Sequence, residues 1–130
     1  MKAVFCMVKE YKRWLEIAES DLLTAKYLIG KKNILPAISI YHSHQCIEKS
    51  LKAVLANMQV DIPKVHNINF LLNKVAENIP DAIQYTDDCA ALNEFLPKLR
   101  YPVGDKLLPD DAKECYFRAK KIFEFITGQI

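Results

Sequence analysis

LPAISIYHSHQCIEKSLKAVLAN, running from Leu35 to Asn57, is the stretch that decides the fold. Along it, Ile40, His44, Ile47, Leu51, Val54 and, just beyond, Met58 recur at steps of three and four, the spacing that gathers side chains on one face of an α-helix. Pro36 falls in the first turn, where its missing N–H costs nothing, and Asn33 stands ahead as the expected cap. The spacing predicts a helix over Leu35 to Asn57. Gln59 to His66 contains Asp61-Ile62-Pro63, and a proline there lacks a donor and clashes with the preceding turn, so this segment reads as a loop.

Working outward, Trp14, Ala18, Leu22, Ala25 and Ile29 form a second stripe, with Glu16, Glu19 and Lys26 between them and Gly30 placed to end the helix before the basic turn Lys31-Lys32. Asn67 is the expected cap of a third helix carrying Ile68, Leu71, Leu72, Val75 and Ile79, which Pro80 stops. A fourth carries Tyr85, Cys89, Leu92, Leu96 and Leu99, with Pro97 expected to kink or tighten its last turn. Tyr101-Pro102-Val103-Gly104-Asp105 is a break. Pro109 with Asp110 and Asp111 then opens a last helix, its carboxylates near the positive dipole end, with Ala112, Cys115, Ala119, Ile122 and Ile126 inward and Gly128 as its end. No segment alternates with period two, and there are three glycines in all. The reading is all-α: an antiparallel, up-and-down four-helix bundle with an additional short helix, five helices in one domain over residues 1–130, its core spanning about 11–126.

With 130 residues, 51% of them hydrophobic, the chain can bury a core without staples. Its 18 basic and 16 acidic side chains nearly cancel, which excludes the electrostatic footprint of a dedicated duplex binder and leaves only local contacts with nucleic acid. Cys6, Cys46, Cys89 and Cys115 form no CxxC or CxH pair and read as small apolar residues rather than a zinc or redox site. Met1 to Val8 has neither the length of a signal-peptide core nor a cleavage site, and no run approaches the roughly 18 apolar residues that span a bilayer. A reducing cytoplasm, with no membrane contact, is the expected location.

His42 and His44 diverge by about 200° around a helix and cannot chelate one metal, and the Glu-x-x-His spacing of di-iron bundles does not occur. His44 reads as a residue in or beside the core, satisfied by a polar neighbour, in preference to a ligand. Lys49 and Lys52 flank Glu48, where they either approach a phosphate or, more commonly, stay solvated. His66 is either a catalytic base or an ordinary loop-to-helix bond. Asp87 and Asp88 read as polar-faced, needing no catalytic role. Arg100, ahead of Tyr101-Pro102, either grips a phosphate with two parallel bonds or caps the last carbonyls of its own helix. No nucleophile system or Gly-rich phosphate loop is present, and no cofactor or metal is expected.

Taken together, Trp14-Leu15 with Ala18 and Asp21-Leu22, the run Tyr41-His42-Ser43-His44-Gln45-Cys46-Ile47-Glu48-Lys49-Ser50-Leu51-Lys52-Ala53, His66-Asn67-Ile68 and Arg100-Tyr101-Pro102 resemble the HEPN domain family over about Tyr11 to Phe125. The resemblance implies an up-and-down helical bundle, a two-fold dimer with the segment after the fourth helix facing a cleft, and a minimal nucleotidyltransferase as partner in a toxin and antitoxin pair or complex. It also implies, for many members, a metal-independent ribonuclease site in which an arginine is followed after four to six residues by a histidine. Counting from Arg100, that place falls on Asp105, Lys106 or Leu107. A carboxylate there repels phosphate and the ribonuclease motif is incomplete.

The expected function is accordingly a non-catalytic homodimeric binding and assembly module, docking a minimal nucleotidyltransferase and binding nucleotide or RNA phosphate through Arg100 and Tyr101 with Lys49, Lys52 or Lys106. The alternative is a ribonuclease toxin in which His44 or His66 replaces the displaced histidine beside Arg100. Rings outside the main stripes, Phe117 and Phe125 among them, are candidates for a dimer contact, or else fill gaps in the monomer core.

Overall fold

The computed structural model describes residues 2–30, 35–102 and 104–130, with side chains from Glu10 onward. Five α-helices follow in order: α1 Lys2–Ile29, α2 Pro36–Asn57, α3 Ile68–Ala76, α4 Thr86–Arg100 and α5 Pro109–Gly128, with a 3₁₀ segment at Pro80–Tyr85 leading into α4. No strand occurs among the described residues. Helix α2 is the axis of the molecule and packs against all four of the others. Its expected stripe is inward, but so is much of the opposite face: Ser39, Ser43, Cys46, Ser50 and Ala53 are as buried as Ile40, Ile47 and Leu51. Small side chains explain this, because they let a neighbouring helix approach closely without leaving voids.

The neighbour on that face is α1, which makes the most extensive interface with α2. Ala18 and Ala25 are fully buried, and the Ser39 hydroxyl reaches across to the Ala25 carbonyl at 3.1 Å. Asp21 meets His42 at 2.8 Å, and the Trp14 ring lies 5.4 Å from the Lys49 ammonium. These three pairs, descending α1 while ascending α2, fix an antiparallel register. Helix α1 starts at Lys2, well before the stripe that begins at Trp14, because neither glycine nor proline interrupts the chain ahead of Gly30.

Helix ends follow local chemistry. Gln59 takes a left-handed φ of 59°, and the Gln59 and Val60 amides bond back to the Ala56 and Leu55 carbonyls, closing α2 where it was expected to end. The α2 cap position is Leu35, with no side-chain bond, while Asn33 lies outside the described residues. The Asn67 side chain accepts the Phe70 amide at 3.1 Å, the expected cap of α3. That helix stops at Ala76 rather than Ile79, since the residue before Pro80 is pushed out of the helical region, φ −127° and ψ 80° at Ile79. The Asp111 carboxylate accepts the Leu108 amide at 2.8 Å, so the acidic start of α5 acts as read.

One side chain departs from expectation. Asp88 is buried, held by Arg118 at 2.8 Å and Lys121 at 3.1 Å, and it ties α4 to α5. Phe125 packs within the monomer against Tyr85, ring centroids 5.1 Å apart, whereas Phe117 stays 57% exposed. The second of the open readings therefore holds for Phe125 and not for Phe117. Cys46, Cys89 and Cys115 are buried free thiols, and burial pushes each up to about 12.

Candidate functional site

The start of α2, the end of α4 and the loop before α3 enclose a groove of about 420 Å³, lined by Ala37, Ile38, Tyr41, His44, Gln45, His66, Leu96, Leu99 and Arg100. Residues far apart in the chain, Arg100, His44 and His66, are thus brought to one groove. Arg100 ends α4 where Tyr101 turns extended, φ −129° and ψ 146°, ahead of Pro102. The last turn is closed by the Tyr101 amide on the Pro97 carbonyl at 3.0 Å. Arg100 is exposed and makes no ion pair or hydrogen bond with another described residue, so it does not cap its own helix.

His44 is 3% exposed and bonds through Nε2 to the Asn93 side-chain oxygen at 3.4 Å. Asn93 in turn donates to the Asn69 oxygen at 2.7 Å, and Asn69 donates to the Thr86 carbonyl. In this chain the Asn93 oxygen accepts, so His44 Nε2 carries the proton and Nδ1 the lone pair. Desolvation lowers the His44 pKa below its ordinary value despite the opposing Asn93 bond. His44 is a neutral, polar-satisfied residue beside the core, as its place in the α2 stripe suggested.

His66 is held differently. Its Nδ1 lies 3.3 Å from both oxygens of Glu48, a carboxylate with no exposed side-chain surface. Lys49 at 2.9 Å and Lys52 at 3.2 Å donate to the same carboxylate, and both ammonium groups sit over the Trp14 ring. Burial pushes Glu48 up, but the bond and charge of Lys49, with His66 and Lys52, more than offset it and hold the carboxyl below its ordinary range. The common fate expected for the two lysines is therefore corrected: they are turned to Glu48, not solvated, and neither lines the groove. In the sequence Glu48 stood out only as the neighbour of Lys49 and Lys52. The signal that marks it is a glutamate with lysines at +1 and +4 inside a helix whose small residues leave little exposed surface after its second turn.

Tyr101 and Lys106 line a second, adjoining groove of about 410 Å³, together with Pro36, Ala37, Lys98, Pro102, Gly104, Asp105 and Leu107. The sequence candidates thus divide three ways: Arg100, His44 and His66 in one groove, Tyr101 and Lys106 in the next, Lys49 and Lys52 behind the first. Among the described residues no three His, Cys, Asp or Glu side chains converge as a metal site, and no helix is long and apolar enough to cross a membrane.

Comparison with known proteins agrees with this geometry. A model of the HEPN domain matches residues 11–129. A Methanocaldococcus jannaschii protein named "Putative toxin MJ1304" is 50% identical over 135 aligned positions, covering 92% of this chain and 87% of that protein. The crystal structure of ST0689, described as an archaeal HEPN homologue, superposes with a TM-score of 0.74 at 25% identity, covering 92% of this chain and 97% of that one. TT1696 from Thermus thermophilus superposes with a TM-score of 0.81 at 21% identity, covering 93% and 98%, and speaks for the fold alone.

Proposed function

The chain belongs to the HEPN domain family, and on that premise we propose that it is a homodimeric binding and assembly module of the cytoplasm, docking a minimal nucleotidyltransferase and holding a nucleotide or RNA phosphate against Arg100. The observation that carries this reading is the state of Arg100. An exposed guanidinium, unpaired among the described residues, opens onto a groove of nucleotide size whose other walls are apolar side chains, the Tyr41 ring, the Gln45 amide and two imidazoles, with no carboxylate among them. A planar five-donor fork in that setting suits two oxygens of a phosphate. Kinship with a protein named as a putative toxin supports a toxin-like setting for the module.

Titration of AMP and of a short single-stranded RNA at low salt tests the phosphate contact. Binding weakens as salt rises, and Arg100→Ala removes it while leaving helical content unchanged. Equal affinity of parent and variant overturns the reading. Native mass spectrometry of the protein captured from its host cells tests the assembly: a dimer carrying a second protein of nucleotidyltransferase size is expected, and a bare monomer contradicts it.

A second reading, a metal-independent ribonuclease toxin, is favoured by one specific contact. Glu48 fixes the His66 ring through Nδ1 in the same groove as Arg100, and a carboxylate that orients an imidazole is how a general base is commonly held. On this reading His66→Ala abolishes RNA cleavage by the folded protein without added metal. His44→Ala has the same effect if the neutral Nδ1 of His44 is the base. Activity that survives both substitutions removes this alternative.

A further inference from the structure

The two grooves are neighbours with one shared wall. Ala37, in the first turn of α2, lines both, and the chain passes from one to the other between consecutive residues: Arg100 faces the first, Tyr101 the second. The extended backbone at Tyr101 accounts for the switch, since successive side chains along extended chain point to opposite sides. Each groove has one tyrosine that is at least half exposed, Tyr41 at 50% in the first and Tyr101 at 63% in the second. Each also has its own basic side chains, Arg100 with His66 in the first, and Lys98 with Lys106 in the second.

Resting on the phosphate reading of Arg100, we propose that the second groove is a ribonucleoside subsite, so that the ligand is at least two nucleotides of single-stranded RNA rather than a mononucleotide or a duplex. Three features carry this. Each groove, near 400 Å³, is of a size for one nucleotide. Exposed tyrosines offer one stacking surface per groove, which only unpaired bases can use. The second groove also contains Asp105 beside its two lysines. A carboxylate accepts and does not donate, so it repels a phosphate but receives a hydroxyl. In a subsite filled by phosphate Asp105 is a liability. In one filled by a ribose it is the acceptor for the 2′-hydroxyl, with Lys98 and Lys106 left for the next phosphate.

The probes are AMP, the ribodinucleotide pApA, its deoxy counterpart and a short RNA duplex, titrated by calorimetry into the full chain at low salt. The expected order is pApA at least tenfold tighter than AMP, deoxy pApA several-fold weaker than pApA, and the duplex weakest. Lys106→Ala should reduce affinity for pApA several-fold and leave AMP unchanged. Asp105→Ala should bring the ribo-to-deoxy ratio to one, even where loss of repulsion raises both affinities, and the ratio is the readout. Equal affinity for AMP and pApA, with Arg100→Ala still weakening both, overturns the subsite and leaves the Arg100 reading standing. A ribo-to-deoxy ratio unmoved by Asp105→Ala, or a duplex bound as tightly as pApA, also overturns it. No binding by any probe, with Arg100→Ala indistinguishable from the parent, sinks the phosphate reading and the subsite with it.

Discussion

Replacing Glu48 by glutamine keeps the shape of the side chain and removes its charge, which leaves two ammonium groups and an imidazole facing a neutral amide. The loss is largest for Lys52, 7% exposed at its side chain, because its ammonium has little water to fall back on; Lys49 at 19% retains more. Removing one member of a buried pair costs about 3–5 kcal/mol, and the freedom of Lys49 to turn outward argues for the lower end, about 3 kcal/mol. Unfolding entropy near 60 °C is about 2.1 cal/mol/K per residue, or about 270 cal/mol/K for a chain of this length, so the melting temperature should drop by about 11 °C. Differential scanning calorimetry reads this directly. A cycle with Lys52→Met separates the pair from general damage: the double variant should be more stable than the sum of the two single losses predicts. If Glu48→Gln melts within about 2 °C of the parent, under a fifth of the shift expected from the unfolding entropy, or the losses simply add, the carboxylate is not the hub that the geometry makes it. In the same variant the His66 imidazole loses its anchor, which side-chain NMR would report as a ring averaging over orientations.

Three further outcomes follow from the packing. Stability should fall as pH is lowered from about 7 through the ordinary histidine value of 6.5, because unfolded His44 takes up a proton that the folded ring resists; thermal melts of His44→Gln should show a flatter profile over that window. Below about pH 4.5 a second loss sets in as the depressed carboxyl of Glu48 is protonated, and this one should vanish in Glu48→Gln. Ala25→Leu, which forces a large side chain into the α1 and α2 contact beside Ser39, should cost about 1–3 kcal/mol by urea denaturation, while the same change at exposed Lys26 should cost under about 0.5 kcal/mol. In a Cys6→Ser background the thiols of Cys46, Cys89 and Cys115 should resist a thiol-specific dye in the native protein and react together on unfolding; rapid labelling of the native state contradicts their burial.

The fold was legible where periodicity and punctuation agree. Gly30, Pro36, Asn67, Pro80 and Pro109 each stand at or near a helix boundary, and the stripes of α2 and α5 point inward as spaced. What the pattern hid is that α2 is buried on nearly every side. Ser39, Ser43 and Ser50 are polar by type, so a two-valued pattern assigns them to water, whereas their use here is small volume against α1. The same ambiguity hid Glu48, Asp88 and the Asp21 to His42 pair. An ionisable residue is read as exposed unless its partners are known, and His66, Arg118 and His42 lie 18, 30 and 21 residues from Glu48, Asp88 and Asp21.

For the site, the residues were legible and their grouping was not. Arg100 and His66 are 34 positions apart in sequence, and only the passage of α2 beneath both brings them to one groove. Helix α2 contributes Tyr41, His44 and Gln45 to the groove wall one turn before it contributes Glu48 to the anchor behind it, so the axis of the bundle is also the frame of the site. This coupling has a consequence for how substitutions should be interpreted. A change at Lys49, Lys52 or Glu48 that alters ligand binding acts through the position of His66 and the stability of α2, and it should alter melting as well. A change at Arg100, Lys106 or Asp105, on exposed surface at the end of α4 and in the segment after it, should alter binding with little effect on melting. Two groups of basic residues that look equivalent in sequence are thereby separated: Lys49 and Lys52 hold the frame, and Arg100 and Lys106 remain to meet an anion.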